Sequence, residues 1–200
     1  MLSSPAALRN RGPILEVLRR YLPARGAVLE IAGGSGEHVL HFAAALPDLV
    51  FQPSDPDAAA RASIAARAQQ SGLTNVRAPL ALDATERWHL PHEIAASLAA
   101  IYCFNMIHIA PWRATLGLLR NAAQALPPQG VLYLYGPYRR GGRHTAPSNE
   151  SFDRDLRARN ADWGVRNVED VIAEAASQRL AFVEIVEMPA NNLSVVLRRM

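Results

Sequence analysis

From residue 27 onward, short apolar runs alternate with stretches whose apolar positions recur at helical spacing. Residues 27–32 (A-V-L-E-I-A) form an apolar run that ends in a glycine cluster, the pattern of a buried strand entering a turn. Further strand patterns fall at 49–54, 75–82, 99–105 and 130–136. Helical patterns fall between them at 37–46, 57–71, 91–98 and 112–126. This alternation predicts an α/β domain with a mainly parallel sheet and helices on both faces. The end of the chain departs from it. After a helix near 167–178 come strand patterns at 180–188 and 193–199, joined only by P-A-N-N, and so short a connection makes these two antiparallel. Before the first strand, Ile14, Leu15, Leu18 and Leu22 mark a helix within 5–22, so that 1–26 is an N-terminal helical segment. Residues 137–152 carry two prolines and a Gly pair and are the least regular stretch, so 137–165 is expected to be a loop or lid on the substrate side.

No linker or internal repeat divides the chain, and residues 1–200 are expected to form one domain. Half of its 200 residues are apolar, enough to bury a core without staples. The single cysteine, Cys103, excludes a disulfide framework and a four-Cys zinc site. No apolar run is long enough to span a membrane. The start of the chain lacks the apolar core of a secretory signal, which points to the cytoplasm; Met1 to Leu15, with arginines and no acid, leaves a mitochondrial presequence as the alternative. All 21 basic residues are arginines, set against 18 acids for a net charge of +3. Without lysine there is no Schiff-base or lysine-base chemistry. Arg139, Arg140 and Arg143 cluster in R-R-G-G-R without interleaved aromatics, which argues against nucleic acid as partner. His38 and His41 are three apart on a helix but have no accompanying carboxylate or third ligand, so no metal is expected. No surplus apolar stripe reveals an oligomeric state.

The most informative residues are V-L-E-I-A-G-G-S-G at 28–36. Glycines at a strand-to-helix turn let the backbone approach a ligand. A dinucleotide turn requires G-x-G-x-x-G, but here Ala32 holds its first position, and counting from Gly34 puts the third glycine at Val39. A nicotinamide-dependent oxidoreductase is thereby disfavoured. Glu30 ends the strand where a carboxylate repels phosphate and attracts an amino group. Asp55 lies 19 residues past Gly36, where this kind of fold places a carboxylate on ribose hydroxyls. Asp83 closes the next strand within reach of an adenine edge. Three strand-end carboxylates suit a nucleoside carrying an amino acid, the chemistry of S-adenosyl-L-methionine.

The segment E-I-A-G-G-S-G resembles the first motif of class I S-adenosylmethionine-dependent methyltransferases, with Ala32 in place of the usual first glycine. Longer strings are S-P-A-A-L-R-N-R-G-P-I-L at 4–15, G-G-S-G-E-H at 33–38, F-Q-P-S-D at 51–55, N-M-I-H-I-A-P-W at 105–112, Y-G-P-Y at 135–138, P-S-N-E-S-F-D at 147–153 and M-P-A-N-N-L at 188–193. Together these are similar, over nearly the whole chain, to the domain of unknown function 938 family (DUF938, methyltransferase-like 26 type). The resemblance implies a Rossmann-like, seven-stranded methyltransferase sheet with its last strand antiparallel. It implies no substrate.

The expected cofactor residues are therefore Glu30, Ala32, Gly33, Gly34, Gly36, His38, Asp55 and Asp83. Asn105, after the fourth strand pattern, borders the methyl donor in the methyltransferase pattern. His108, Tyr138 and His144 are the candidates for a proton acceptor, and Tyr138, His144, Ser148 and Asn149 for substrate contact. Methyl transfer needs alignment and exclusion of water more than a dedicated constellation. The acceptor thus leaves little signature, and a small molecule is favoured. The alternative is a non-catalytic domain of the same fold that acts through a protein partner.

Overall fold

The computed structural model describes residues 2–200. In chain order its elements are α1 (Pro5–Leu18), β1 (Gly26–Ile31), α2 (Glu37–Ala45), β2 (Leu49–Pro53), α3 (Ala58–Ser71), α4 (His92–Ser97), β3 (Leu98–Phe104), α5 (Trp112–Ala125), β4 (Val131–Gly136), the two-residue strands β5 (Arg139–Arg140) and β6 (Arg143–His144), α6 (Pro147–Arg159), α7 (Val168–Ser177), β7 (Leu180–Met188) and β8 (Asn192–Arg199).

The period-two alternation of each strand splits the core into two layers. Leu29, Ile31, Ile101, Cys103, Leu132 and Leu134 pack against α5 and α7. Val28, Ala100, Tyr102, Phe104, Tyr133 and Tyr135 pack against α1, α2 and α3 on the other face. Strands buried on both sides carry no polar face, which is why they appear in the sequence as unbroken apolar runs. The sheet order is β2-β1-β3-β4-β8-β7. The first four strands are parallel, and β8 runs antiparallel to both β4 and β7. The turn joining β7 to β8 places Ala190 and Asn191 in the left-handed region.

Two expectations are corrected. The sheet has six strands rather than seven, because residues 75–82 make only isolated bridges, at Phe51–Val76 and Ser54–Leu80. Backbone bonds on either side of Pro79 continue along β2, but proline has no N–H to give, and the ladder breaks there. The expected irregular stretch at 137–152 is instead a short hairpin, β5–β6, followed by the helix α6. Pro147 sits in the first turn of α6, with Glu150 near its start and Arg157 and Arg159 in its last turn, all favourable to a helix. It buries Asn149, Asp153 and Leu156, a largely polar stripe that apolar periodicity does not reveal.

No helix among the described residues is long and apolar enough to cross a membrane, and no group of three or more potential metal ligands occurs among them.

Candidate functional site

In parallel sheets, ligands bind beyond the carboxyl ends of the strands, where successive crossovers leave in opposite directions. Here that point lies between β1 and β3, since the chain moves from β1 to β2 on one side and resumes at β3 on the other. The turn after β1 fills it. Ala32, Gly34 and Gly36 all have positive φ, at 57°, 57° and 85°. Gly33 N–H donates to the Ser54 carbonyl at 2.9 Å, and the Ser54 hydroxyl donates to the Glu30 carbonyl at 2.6 Å, fixing the turn to the end of β2. A Cβ on Gly33 would collide with the Glu30 carboxyl, so this glycine is needed for closeness. Gly36 is the N-cap of α2, where a Cβ would press on Ile64 at 3.1 Å.

Two adjoining recesses, with volumes of about 350 and 380 Å³, open on either side of this turn and share Ile31, Ala32, Gly34 and Ile109 as walls. Both are of the size of small-molecule sites. The first is lined by Glu30, Gly33, His38, Phe104 and Asn105, together with Leu2, Ser3, Ser4 and Ala7 from the start of the chain. The second is lined by Asp55, Asp83, Leu82, Met106, Pro111 and Arg113. Apart from Gly36, which lines neither, every expected cofactor residue thus borders one of these two adjoining recesses.

The three carboxylates have different surroundings. Glu30 is buried, and its Oε2 has no hydrogen-bond partner among the described residues. Burial pushes its carboxyl up to about 8; the Tyr102 hydroxyl pulls it down and the Asp55 charge adds to the rise. Asp55 accepts Gly34 N–H at Oδ2 and Asp57 N–H at Oδ1, both at 2.9 Å. Each oxygen retains a second lone pair for a hydroxyl. Asp83 is exposed; its Oδ1 accepts from both the backbone N–H and the hydroxyl of Thr85 at 2.8 Å. That bond gives it a turn-capping role and leaves Oδ2 to a ligand.

Asn105 has φ of 59°, a left-handed conformation at the end of β3 where its N–H donates to the Tyr135 carbonyl at 2.8 Å. His38, in the first turn of α2, packs edge-on against Phe104 with centroids 4.8 Å apart. Burial, with added repulsion from His41 and Arg11, lowers its pKa to about 4.

The residues expected to meet substrate lie elsewhere. His108 is fully buried; its ring meets that of Tyr138 at 4.9 Å, and a Cβ on Gly136 would lie 2.6 Å from its Nε2. Burial, reinforced by Arg166, holds it at about 3. Tyr138 is likewise fully buried. Asn149 uses its amide to hold Thr145 Oγ1 at 3.0 Å and the Asn191 carbonyl at 2.9 Å. His144 stands 3.6 Å from Asp153, and Ser148 is exposed. None of the five lines either recess. Their segment is committed to its own fold around Asp153, which accepts from Arg139 at 2.5 Å, from Arg157 at 3.1 Å and from Val165 N–H at 2.7 Å.

Sequence reasoning missed the wall made by residues 2–7. It is held by Glu37, buried at 5% exposure, which accepts from Ser4 N–H and the Ser35 hydroxyl, both at 2.9 Å, and pairs with Arg67 at 3.3 Å. Leu2 N–H donates to Ser63 Oγ at 2.9 Å. Apart from the local Ser35 bond, these contacts span 30 to 61 positions of sequence, and no local pattern announces them. Ile109, which no sequence pattern marks, is 42% exposed on the rim shared by both recesses.

A family model described as a protein of unknown function (DUF938) matches residues 1–199. Among solved structures, the chain is similar to the mitomycin 7-O-methyltransferase MmcR, with TM-score 0.80 and 17% identity over 97% of this chain and 54% of that one. It is similar to an O-methyltransferase family 2 protein from Planctomyces limnophilus in complex with apigenin, with TM-score 0.77 and 18% identity over 97% of this chain and 60% of that one. It is also similar to CalO1, a methyltransferase in calicheamicin biosynthesis in its SAH-bound form, with TM-score 0.74 and 16% identity over 96% of this chain and 54% of that one. The chain spans little more than half the length of these proteins.

Proposed function

The chain belongs to the DUF938 family of proteins of unknown function, and from that membership and the shape of its cleft we propose that it is an S-adenosylmethionine-dependent methyltransferase acting on a small-molecule acceptor. The observation that carries the reading is the distribution of carboxylates along one cleft. Glu30 lies in one recess, and Asp55 and Asp83 lie in the other, with the left-handed turn between them.

A ligand with a cationic amino group at one end and a nucleoside at the other fits this order. Glu30 would hold the amino group, Asp55 the ribose hydroxyls and Asp83 the adenine edge, with Leu82, Met106 and Pro111 as apolar walls. When bound, the donor supplies a methyl group already activated by its sulfonium. The protein's part is to align an acceptor with it and exclude water. Asn105 and Ile109 line the first recess, and Leu2, Ser3, Ser4 and Ala7 cover its side near Glu30. The likeness to O-methyltransferases, one of them in complex with apigenin, supports a small organic acceptor. A non-catalytic domain would have no need of three carboxylates around the turn, which weighs against that alternative.

Calorimetric titration with S-adenosylmethionine and S-adenosylhomocysteine, with NAD as control, tests the proposal. Micromolar binding of the sulfur nucleosides alone supports it. Absence of binding turns the search toward a protein partner.

A further inference from the structure

His38 has one nitrogen engaged and one available. Its Nε2 lies 2.8 Å from the amide oxygen of Asn10, delivered by α1. An amide oxygen only accepts, so the hydrogen in this bond belongs to the imidazole, and Nδ1 is left as the acceptor nitrogen. Among the described residues nothing bonds Nδ1, and it is not one of the enclosed orphan atoms. The ring is 9% exposed and lines the first recess, so Nδ1 is reached from there. Phe104 at 4.8 Å and Phe42 at 5.8 Å hold the ring plane.

Resting on the methyltransferase reading, we propose that His38 receives the hydroxyl proton of the acceptor, with Asn10 as the positioning residue, and that the acceptor is a small phenol-like molecule seated between Phe104 and Ile109. The acceptor O–H bond breaks and its proton forms an N–H bond at Nδ1. The electron pair left on oxygen makes the new O–C bond as the methyl group's bond to sulfur breaks, its pair remaining on sulfur. A carboxylate acceptor has no proton to give. Burial and the nearby charges of His41 and Arg11 keep the His38 ring neutral, the form that accepts a proton. The apolar lining from Leu2, Ala7, Phe104 and Ile109 suits an aromatic frame.

The test uses full-length protein with 15N-labelled histidine, saturated with S-adenosylhomocysteine and titrated with phenol or with its methyl ether, anisole. His38 is expected to be the Nε2–H tautomer, and phenol, but not anisole, to shift its Nδ1 resonance to lower frequency. Asn10→Ala should mix the two tautomers without changing S-adenosylhomocysteine affinity. His38→Gln should remove the phenol response and slow methyl transfer to phenol by about 10²–10⁴-fold. A hydrogen on Nδ1 in the resting protein, or an Nδ1 resonance that phenol does not move up to its solubility limit, overturns the assignment. Failure of S-adenosylhomocysteine to bind is a separate result that overturns the methyltransferase reading; the phenol titration is then run on the protein alone.

Discussion

Glu30 is the residue on which the chemistry of the cleft depends, and its ionisation should be visible in binding. With its carboxyl raised to about 8, it is mostly protonated at pH 7 in the ligand-free protein. A cationic amino group placed beside it favours the charged form, so binding should release about one proton per ligand near pH 7. Affinity for S-adenosylhomocysteine should rise with pH toward 8, and the heat of binding should depend on the ionisation enthalpy of the buffer. Glu30→Gln should abolish both effects. Asp55→Ala should weaken the same ligand by roughly 1.5–3 kcal/mol in calorimetry, the range for hydrogen bonds to a charged group. The fold should survive, because the residue ends a strand. Glu30, Asp55 and Asp83 were legible because each follows an apolar run and precedes a turn. The positive φ of Ala32 and Asn105 was not, since neither residue type demands it.

At the scale of elements, α6 shows where apolar periodicity gives out. Its buried face is Asn149, Asp153 and Leu156, and its attachment is electrostatic. Asp153 joins Arg139 of β5, Arg157 of its own helix and the backbone at Val165. Both arginines are partly exposed, so solvent screens the pairs and moderates the loss when Asp153 is removed. Asp153→Ala should lower stability by about 2 kcal/mol, mostly through the unsatisfied backbone and guanidinium donors it leaves. Chemical denaturation with an unchanged m-value checks this; an unaltered midpoint would show that the network does not hold the segment. By contrast, α2, α3 and α5 were legible because each carries an ordinary amphipathic face or cap, as with Asp57, which accepts the N–H groups of Ala59 and Ala60. The missing seventh strand had its warning in Pro79, whose effect depends on which neighbour residues 75–82 would pair with.

For the whole molecule, buried titratable groups set the pH range of stability. His38 and His108 have pKa values of about 4 and 3 when folded, against 6.5 in an unfolded chain. The unfolded state therefore binds more protons below pH 6.5, and stability falls as pH drops from there. Glu30 acts in the opposite direction. Its folded value of about 8 exceeds 4.5, so the stability it contributes is present at low pH and is lost as pH rises through 8. Thermal unfolding should show a maximum near pH 6 to 7, with an alkaline decline that Glu30→Gln removes. A decline unchanged in that variant would place the titrating group elsewhere. The parallel sheet and its antiparallel last strand were legible from alternation and the brevity of P-A-N-N. The packing of residues 2–7 onto the cleft was not, because it is fixed by Glu37, Ser63 and Arg67 from two other helices.

If the two recesses are the two ends of one cofactor site, a crystal structure of the protein grown with S-adenosylhomocysteine should place the ligand's amino group within hydrogen-bond distance of Glu30, its ribose hydroxyls on Asp55 and its adenine beside Asp83. A ligand bound in the reverse direction, or away from the turn at 32–36, would contradict it.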